Sequence, residues 1–193
     1  MVKRWQQLHQ LKESTMSDMF SLEGKVAVVI GGAGGIGELI AAGLAKQGAK
    51  VAIASRNIQK LEKVAHQIQS EAKSEVAAFE VDVTDEQSVA QLAERVVSRF
   101  GTVDILVNSQ GVNLKKPAAE FPVNDWDVMF DVNVKGTMLT CREFGKVMIG
   151  KGKGKIINLS SVRGIRATLW GGNEAYCATK GAVDMITRTL AAE

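Results

Sequence analysis

The stretch KVAVVIGGAGGIGELIAAGLAKQG, residues 25–48, decides the fold of this chain. It opens with a short apolar run that ends in glycines, which is typical of a strand buried on both faces of a sheet. The spacing of apolar residues from Ile36 to Gln47 then indicates a helix, and Gly48 is suited to end it. A strand, a tight turn and a helix in this order form the opening unit of a parallel α/β sheet.

The same alternation continues along the chain. Further strands are predicted over residues 50–54, 75–81, 104–107 and 155–159, and helices over residues 58–72, 85–99, 124–148 and from 174 onward. Because helices separate consecutive strands, the strands should pair in parallel through right-handed crossovers, with helices on both faces. We therefore expect one doubly wound, Rossmann-like α/β domain with three layers over residues 22–193.

Composition narrows the class of protein. A chain of 193 residues, 46% of them hydrophobic, has enough apolar surface for one buried core. The net charge of +3 is too small to favour nucleic acid as a partner, and no apolar run is long enough to span a membrane. Cys141 and Cys177 lack metal-ligand spacing and indicate free thiols in a reducing compartment. We therefore expect a cytoplasmic protein that binds neither a metal, nor nucleic acid, nor a membrane.

Residues 1–21 precede the predicted domain as an N-terminal extension. They lack the apolar region of a signal peptide. They could form a weak organelle-targeting segment, although they are not rich in arginine. An extension from an upstream start codon is favoured, because Met16 and Met19 stand just ahead of the domain.

The first predicted turn, GGAGGIG at residues 31–37, is called the glycine turn below. Two patterns fit it: GxGxxG on Gly32, Gly34 and Gly37, or GxxxGxG on Gly31, Gly35 and Gly37. Either pattern between a strand and a helix predicts a site for a dinucleotide pyrophosphate, held by backbone N–H groups at the positive end of the helix. Glycines that serve packing alone are the less favoured alternative.

The end of the second predicted strand indicates which dinucleotide binds. An acidic residue there would accept hydrogen bonds from the ribose of NAD, whereas an arginine suits the 2′-phosphate of NADP. This chain has Ser55 and Arg56 at that point and no acid. Arg56 offers a planar fork for phosphate oxygens, although it could also be a solvated residue at the start of the next helix. We therefore favour NADP(H) over NAD(H).

Tyr176 and Lys180, in YCATK, stand four residues apart in a predicted helix, so their side chains leave the same face. A free tyrosine has a pKa of about 10 and is a poor base at neutral pH. A nearby ammonium favours the phenolate form and makes proton exchange with a substrate feasible. The spacing alone is common and would not identify a site.

Together with other motifs, the pair makes residues 22–193 resemble the short-chain dehydrogenase/reductase family, in particular its gluconate 5-dehydrogenase-like and 3-oxoacyl reductase-like members. The matching pieces occur in family order: GGAGGIG, Asp82-Val83, NSQG at 108–111, Asn133 in DVNVKG, Ser160-Ser161 in IINLSSVRG, and YCATK at 176–180. The resemblance implies an oxidoreductase that acts on a small alcohol or carbonyl compound with a nicotinamide cofactor.

The resemblance also implies a role for each matching residue. The catalytic residues would be Tyr176 as general acid/base, Ser161 as the donor that orients the substrate oxygen, Lys180, and Asn133, which would anchor a water in a proton relay. Contacts with the cofactor would come from the following residues: Gly31, Gly35, Ile36, Gly37, Ser55, Arg56, Asp82, Val83, Asn108, Gly111, Tyr176 and Lys180.

In that family two more strands and a substrate-covering segment follow the tyrosine-bearing helix, and members form homodimers or homotetramers. The resemblance therefore implies that the last strands of the sheet are missing from this chain and that it is truncated at its C-terminus. Within the loop at 165–175 and just before it, Arg163, Arg166 and Trp170 could contact a substrate or could be ordinary exposed residues. A sugar, polyol or sugar acid is the favoured substrate class. A dinucleotide-binding regulatory protein or an inactive fragment remains the alternative function.

Overall fold

The computed structural model describes residues 19–167 and 171–193. The N-terminal extension up to residue 18, and Trp170 with its two preceding neighbours, lie outside the described residues. The strands are β1 (Val26–Ile30), β2 (Lys50–Ser55), β3 (Val76–Glu80), β4 (Ile105–Asn108) and β5 (Lys155–Asn158). The helices are α1 (Gly35–Lys46), α2 (Ile58–Ala72), α3 (Glu86–Phe100), α4 (Val123–Phe130), α5 (Gly136–Gly150) and α6 (Glu174–Leu190).

The five strands form one parallel sheet in the order β3-β2-β1-β4-β5. Alternate residues of β1 feed two cores, one on each face. Val28 and Ile30 pack with α3 and α5, whereas Ala27 and Val29 pack with α1 and α2. The predicted doubly wound sheet with three layers is therefore confirmed, and the strands and the first three helices lie within one residue of their predicted bounds.

The chain reverses its direction of travel across the sheet at β1. It moves outward to β2 and β3, then returns to place β4 on the other side of β1. In open parallel sheets, ligands bind in the crevice at such a point, beyond the carboxyl ends of the strands. The residues that follow β1, β2 and β4 are therefore brought to one place, although they are distant in sequence.

The predicted continuous helix over 124–148 is wrong in one respect. A π-helical turn over Asp131–Lys135 separates α4 from α5, with the Gly136 N–H donating to the carbonyl of Asp131 five residues earlier. The turn inserts one residue and rotates the following helix relative to α4. Hydrophobic periodicity does not reveal such a shift, because both flanking helices keep the same repeat. The turn holds Asn133, whose side chain is buried.

Asp104 fixes the start of β4 against β1. Its carboxylate accepts hydrogen bonds from the Val26 N–H at 2.9 Å and from the Lys151 ammonium at 2.6 Å. Burial raises the pKa of Asp104, but these hydrogen bonds and the charges of Lys151 and Lys25 together hold the pKa below its ordinary value. The ionised carboxylate therefore stabilises the folded state.

Replacing Asp104 by asparagine should lower the free energy of unfolding at pH 7 by about 1–3 kcal/mol, because two hydrogen bonds to a charged group are weakened. A depressed pKa gives stability that is present above the unfolded value, about 3.9, and lost as the pH falls toward the folded value. Urea unfolding at pH 7 and pH 3.5 should therefore show a smaller difference between the variant and the wild type at the lower pH. The matched control is Asp127→Asn on the exposed face of α4, and an equal loss in both variants would contradict the account.

Candidate active site

The glycine turn joins β1 to α1 with two close backbone contacts. Gly31 has a φ of 79°, which favours glycine, and a methyl group there would lie 2.8 Å from the Gln110 nitrogen. A methyl group on Gly37 would collide with the carbonyl oxygen of Gly31. Gly32 instead packs against Ile53 of β2. The glycines of the GxxxGxG pattern thus shape the turn, and Gly32 serves packing.

A cleft of about 270 Å³ opens beside this turn, above the carboxyl ends of the strands. Residues from four strand ends line it, among them Gly31, Ser55, Arg56, Asp82, Val83 and Gly111. Gly35, Ile36 and Gly37 form the first turn of α1 directly behind Gly31. The sequence predicts a cofactor contact for all nine residues; six of them line the cleft, and three lie in the helical turn next to it.

Asp82 at the cleft is held as a carboxylate. Hydrogen bonds from the backbone N–H and the hydroxyl of Thr84, at 2.9 and 2.7 Å, lower the pKa of Asp82. The charges of Arg56 and Lys135 lower it further. Arg56 thus lies near enough to Asp82 to influence its charge. Because the Arg56 side chain is exposed, its guanidinium is also open to an anion.

Lys180 and Tyr176 lie on the same face of α6, as predicted. The Lys180 ammonium lies 5.7 Å from the centroid of the Tyr176 ring and donates a hydrogen bond to the Leu159 carbonyl at 2.7 Å. Lys180 is only 5% exposed, and burial lowers its pKa, with the carboxylate of Asp184 opposing the shift. Tyr176 is half-buried. An ammonium is therefore fixed beside the ring of a half-buried tyrosine.

Asn133 connects the π turn to both the cleft and α6. Its amide donates to the Val112 carbonyl at 2.9 Å and to the Thr179 hydroxyl at 3.1 Å, and its oxygen accepts from the Val112 N–H at 2.8 Å. Thr179 immediately precedes Lys180. The side chain thus ties three separate segments together at the base of the site.

Gly111 links the cleft to the Tyr–Lys pair. A methyl group at Gly111 would lie 3.4 Å from Oδ1 of Asn133 and 3.7 Å from Nζ of Lys180. Gly111 also lines the cleft beside the glycine turn. The buried ammonium therefore lies at the end of the same crevice that begins at Gly31.

Ser161 lies in the turn after β5, packed directly on α6. Its hydroxyl accepts a hydrogen bond from the Arg163 N–H at 3.2 Å, which caps a short 3₁₀ turn over Val162–Gly164. Ser160 donates to the Lys180 carbonyl at 3.2 Å. A methyl group on Gly164 would collide with the carboxylate of Asp184, so glycine permits this close packing. The turn that carries Ser161 is thereby held against the helix of Tyr176 and Lys180.

Asn108 lies beneath the cleft rather than in it. Its amide donates to the Asn158 oxygen at 2.8 Å, and its oxygen accepts from the Thr140 hydroxyl at 2.8 Å. The side chain is 2% exposed. The side-chain amide thereby joins β4, β5 and α5, and the role of Asn108 in positioning a cofactor stays a prediction.

Some contacts of the site could not be found in the sequence. Val112 and Leu159 act through backbone groups, which leave no pattern in residue types. Gln110, which departs from the family pattern in NSQG, donates to the Thr137 hydroxyl at 3.2 Å and so fixes the loop after β4. The only feature of the sequence that could have pointed to Thr179 is its position next to Lys180.

The cleft fits a nicotinamide dinucleotide. A helix N-terminus and a glycine turn without side chains allow close approach of a pyrophosphate, and the ammonium of Lys180 lies at the opposite end. The described residues contain no group of three or more side chains suited to a metal ion. Among the described helices, none is long and apolar enough to cross a membrane.

Comparison with known proteins places this geometry in a family. The family model described as short chain dehydrogenase matches residues 25–193. An oxidoreductase of Staphylococcus saprophyticus is 41% identical over 175 residues, which cover 91% of this chain and 74% of that protein. A relative in Staphylococcus epidermidis is 38% identical over the same shares.

Solved structures agree with this match. A short-chain type dehydrogenase/reductase from Mycobacterium marinum superimposes with a TM-score of 0.88 at 30% identity, covering 91% of this chain and 71% of that one. A gluconate 5-dehydrogenase from Burkholderia cenocepacia, in complex with NADP and tartrate, gives 0.86 at 34% identity, covering 92% and 68%. An NAD+-bound xylitol dehydrogenase gives 0.84 at 31%, covering 87% and 64%. With the glycine turn, the cleft and the Tyr–Lys pair in one arrangement, this chain belongs to the short-chain dehydrogenase family and is an oxidoreductase acting on CH–OH groups.

Proposed function

We propose that the chain is an NADP(H)-dependent oxidoreductase that interconverts a secondary alcohol and a ketone. The observation that carries this proposal is the buried Lys180 ammonium, held beside the Tyr176 ring and next to Gly111 at the end of the cleft. A phenol and a cation in this place can exchange a proton with a substrate oxygen. The bound dinucleotide would supply or accept the hydride.

Three side chains of the site have distinct roles in the reduction of a ketone. The Tyr176 hydroxyl gives its proton to the substrate oxygen, and the Lys180 ammonium stabilises the phenolate that remains. Ser161 donates a hydrogen bond to the same oxygen and orients it. In oxidation of an alcohol the proton returns to Tyr176. These roles require the Tyr176 phenol and the Ser161 hydroxyl to face the same substrate oxygen.

Asn133 takes a positioning role in this proposal. Its side chain already contacts Val112 and Thr179, so it holds the cleft wall and α6 in register. A water at Asn133, implied by the resemblance, would have to bind through its backbone or through a change of these contacts. Removal of the amide should therefore loosen Lys180 as well as any water.

NADP(H) is the proposed cofactor because a positively charged residue, and not an acidic one, follows β2. Ser55 and Arg56 line the cleft where an acid would be needed for the ribose of NAD. Arg56 is exposed and can form two parallel hydrogen bonds to phosphate oxygens. The NADP complex of the gluconate 5-dehydrogenase supports this preference, although the xylitol dehydrogenase holds NAD+ in a similar fold.

A sugar, polyol or sugar acid is the proposed substrate class, and a 3-oxoacyl thioester is the alternative. Arg163 and Arg166 follow Ser161 in the loop after β5, and guanidinium groups there would favour an anionic substrate. The similar solved structures of a gluconate 5-dehydrogenase and a xylitol dehydrogenase support a sugar, polyol or sugar acid.

We further propose a cytoplasmic homodimer or homotetramer. Large apolar side chains are exposed along α4, α5 and α6, among them Val128, Met138, Ile149 and Met185. Apolar surface of this kind is often covered by a second copy of the chain.

Steady-state kinetics with NADPH and NADH tests the cofactor assignment. We expect kcat/KM for NADPH to exceed that for NADH, and Arg56→Gln to lower the NADPH value by about 10–100-fold while changing the NADH value little. The exposed Arg188 near the end of α6 provides a matched control, Arg188→Gln. An unchanged preference in the Arg56 variant would remove the assignment, and cofactor binding without turnover on any carbonyl compound would favour a regulatory protein.

A further inference from the structure

Lys60, in the first turn of α2, reaches back to the glycine turn. The position that a methyl group on Gly34 would occupy lies 3.0 Å from Nζ of Lys60 and 3.8 Å from its Cε. The backbone of Lys60 is itself fixed, because its N–H donates to the side chain of Asn57, which caps α2, at 2.9 Å. Glycine at position 34 thus leaves room for an ammonium against the turn.

Lys60 and Arg56 place two cations beside the cleft. Gly34 and Arg56 both line it, and Lys60 lies against Gly34. Two carboxylates border this pair: Asp82, whose pKa Arg56 helps to lower, and Glu38, with one oxygen 3.9 Å from the same point above Gly34. Each cation therefore has a nearby opposite charge but is not enclosed by it, since both side chains are exposed.

The charge of the ligand decides how many cations are needed. A phosphate monoester carries a charge of about −1.5 to −2 at pH 7, so a single guanidinium leaves it partly unneutralised. A ribose with two free hydroxyls needs no cation in that position. Two cations attract a dianion more strongly than a neutral ribose hydroxyl, whereas the carboxylates of Asp82 and Glu38 oppose that attraction, so both cations are needed to favour the phosphate.

We infer that Lys60 is a second specificity-determining residue, which binds the 2′-phosphate of NADP(H) together with Arg56. This inference rests on the proposed cofactor. Lys60 supplies a mobile point charge, whereas Arg56 supplies a planar fork, so the two contacts are complementary rather than redundant.

Equilibrium binding tests the inference without reference to turnover. The full chain, wild type and Lys60→Gln, is titrated with NADPH and with NADH by calorimetry at low ionic strength. We expect Lys60→Gln to raise the Kd for NADPH about tenfold and to leave the Kd for NADH within about twofold. Lys60→Arg should retain most of the NADPH affinity. Lys63→Gln, an exposed position on the same helix, is the matched control and should change neither value.

The outcomes separate this inference from the proposed cofactor. If Arg56→Gln weakens NADPH binding and Lys60→Gln does not, the role of Lys60 is wrong and the cofactor assignment stands. If Lys60→Gln weakens both dinucleotides equally, the ammonium contacts the pyrophosphate they share, which also overturns the inference. If the wild type binds NADH more tightly than NADPH, the proposed cofactor itself is wrong.

Discussion

Replacing Tyr176 by phenylalanine is expected to lower kcat for ketone reduction by about 1,000-fold, because the proton donor is removed while the ring remains. Lys180 would keep its hydrogen bond to the Leu159 carbonyl and its place beside the ring. The Kd for NADPH and the melting temperature should therefore change little. Tyr176 is the only tyrosine in the chain, so no other phenol can substitute for it.

The neighbouring residue provides the control for this variant. Cys177 is half-buried on the same helix and has no task in the proposed reaction. Cys177→Ser should retain most of the wild-type kcat. A comparable loss of activity in both variants, or a Tyr176→Phe enzyme that keeps more than about a tenth of wild-type kcat, would contradict a role for the phenol in proton transfer.

Replacing Gly37 by alanine is expected to abolish detectable dinucleotide binding and to lower the free energy of unfolding by about 1–3 kcal/mol. The added methyl group would collide with the Gly31 carbonyl oxygen and lie 3.1 Å from the Ser109 hydroxyl. The Gly31 carbonyl belongs to the backbone and cannot move without displacing the end of β1. Thermal unfolding with and without NADPH measures both effects, since a ligand that binds only the folded state raises the melting temperature.

Gly43, on the same helix as Gly37, makes the comparison specific. A methyl group at Gly43 meets no atom within 4 Å, so Gly43→Ala should be neutral or stabilise the protein by about 0.5–1 kcal/mol through helix propensity. It should also keep the rise in melting temperature with NADPH. If both variants behave alike, the crowding at the glycine turn does not control cofactor binding.

Much of the fold could be predicted because each element carries its own local signal. The apolar run of β1, its glycines and the repeat of α1 lie in one continuous stretch, and parallel pairing follows from the helices between strands. The Tyr176–Lys180 pair could also be predicted, since four residues in a helix bring side chains to one face. These features depend on neighbours in sequence.

The features of the fold and the site that could not be predicted depend on contacts between segments distant in sequence. The π turn shifts α5 by one residue and aims Asn133 at Val112, yet neither flanking helix records the shift in its pattern. The resemblance implied that Asn108 helps to position the cofactor, but it gave no indication that the Asn108 side chain is buried against Thr140 and Asn158. Which face of a strand end meets the cleft is set by packing, and residue type alone does not reveal it.

Transfer of deuterium tests the central claim most directly. A panel of ketones, including keto-sugars and sugar-acid derivatives, is incubated with NADPH that carries deuterium at both C4 positions of the dihydronicotinamide and with either the wild-type protein or Tyr176→Phe. The account predicts that the wild-type product carries one deuterium on its new carbinol carbon and that the variant forms about 1,000-fold less of it in the same time. Deuterium-labelled alcohol formed at equal rates by both proteins, or no labelled product from any ketone with the wild type, would contradict it.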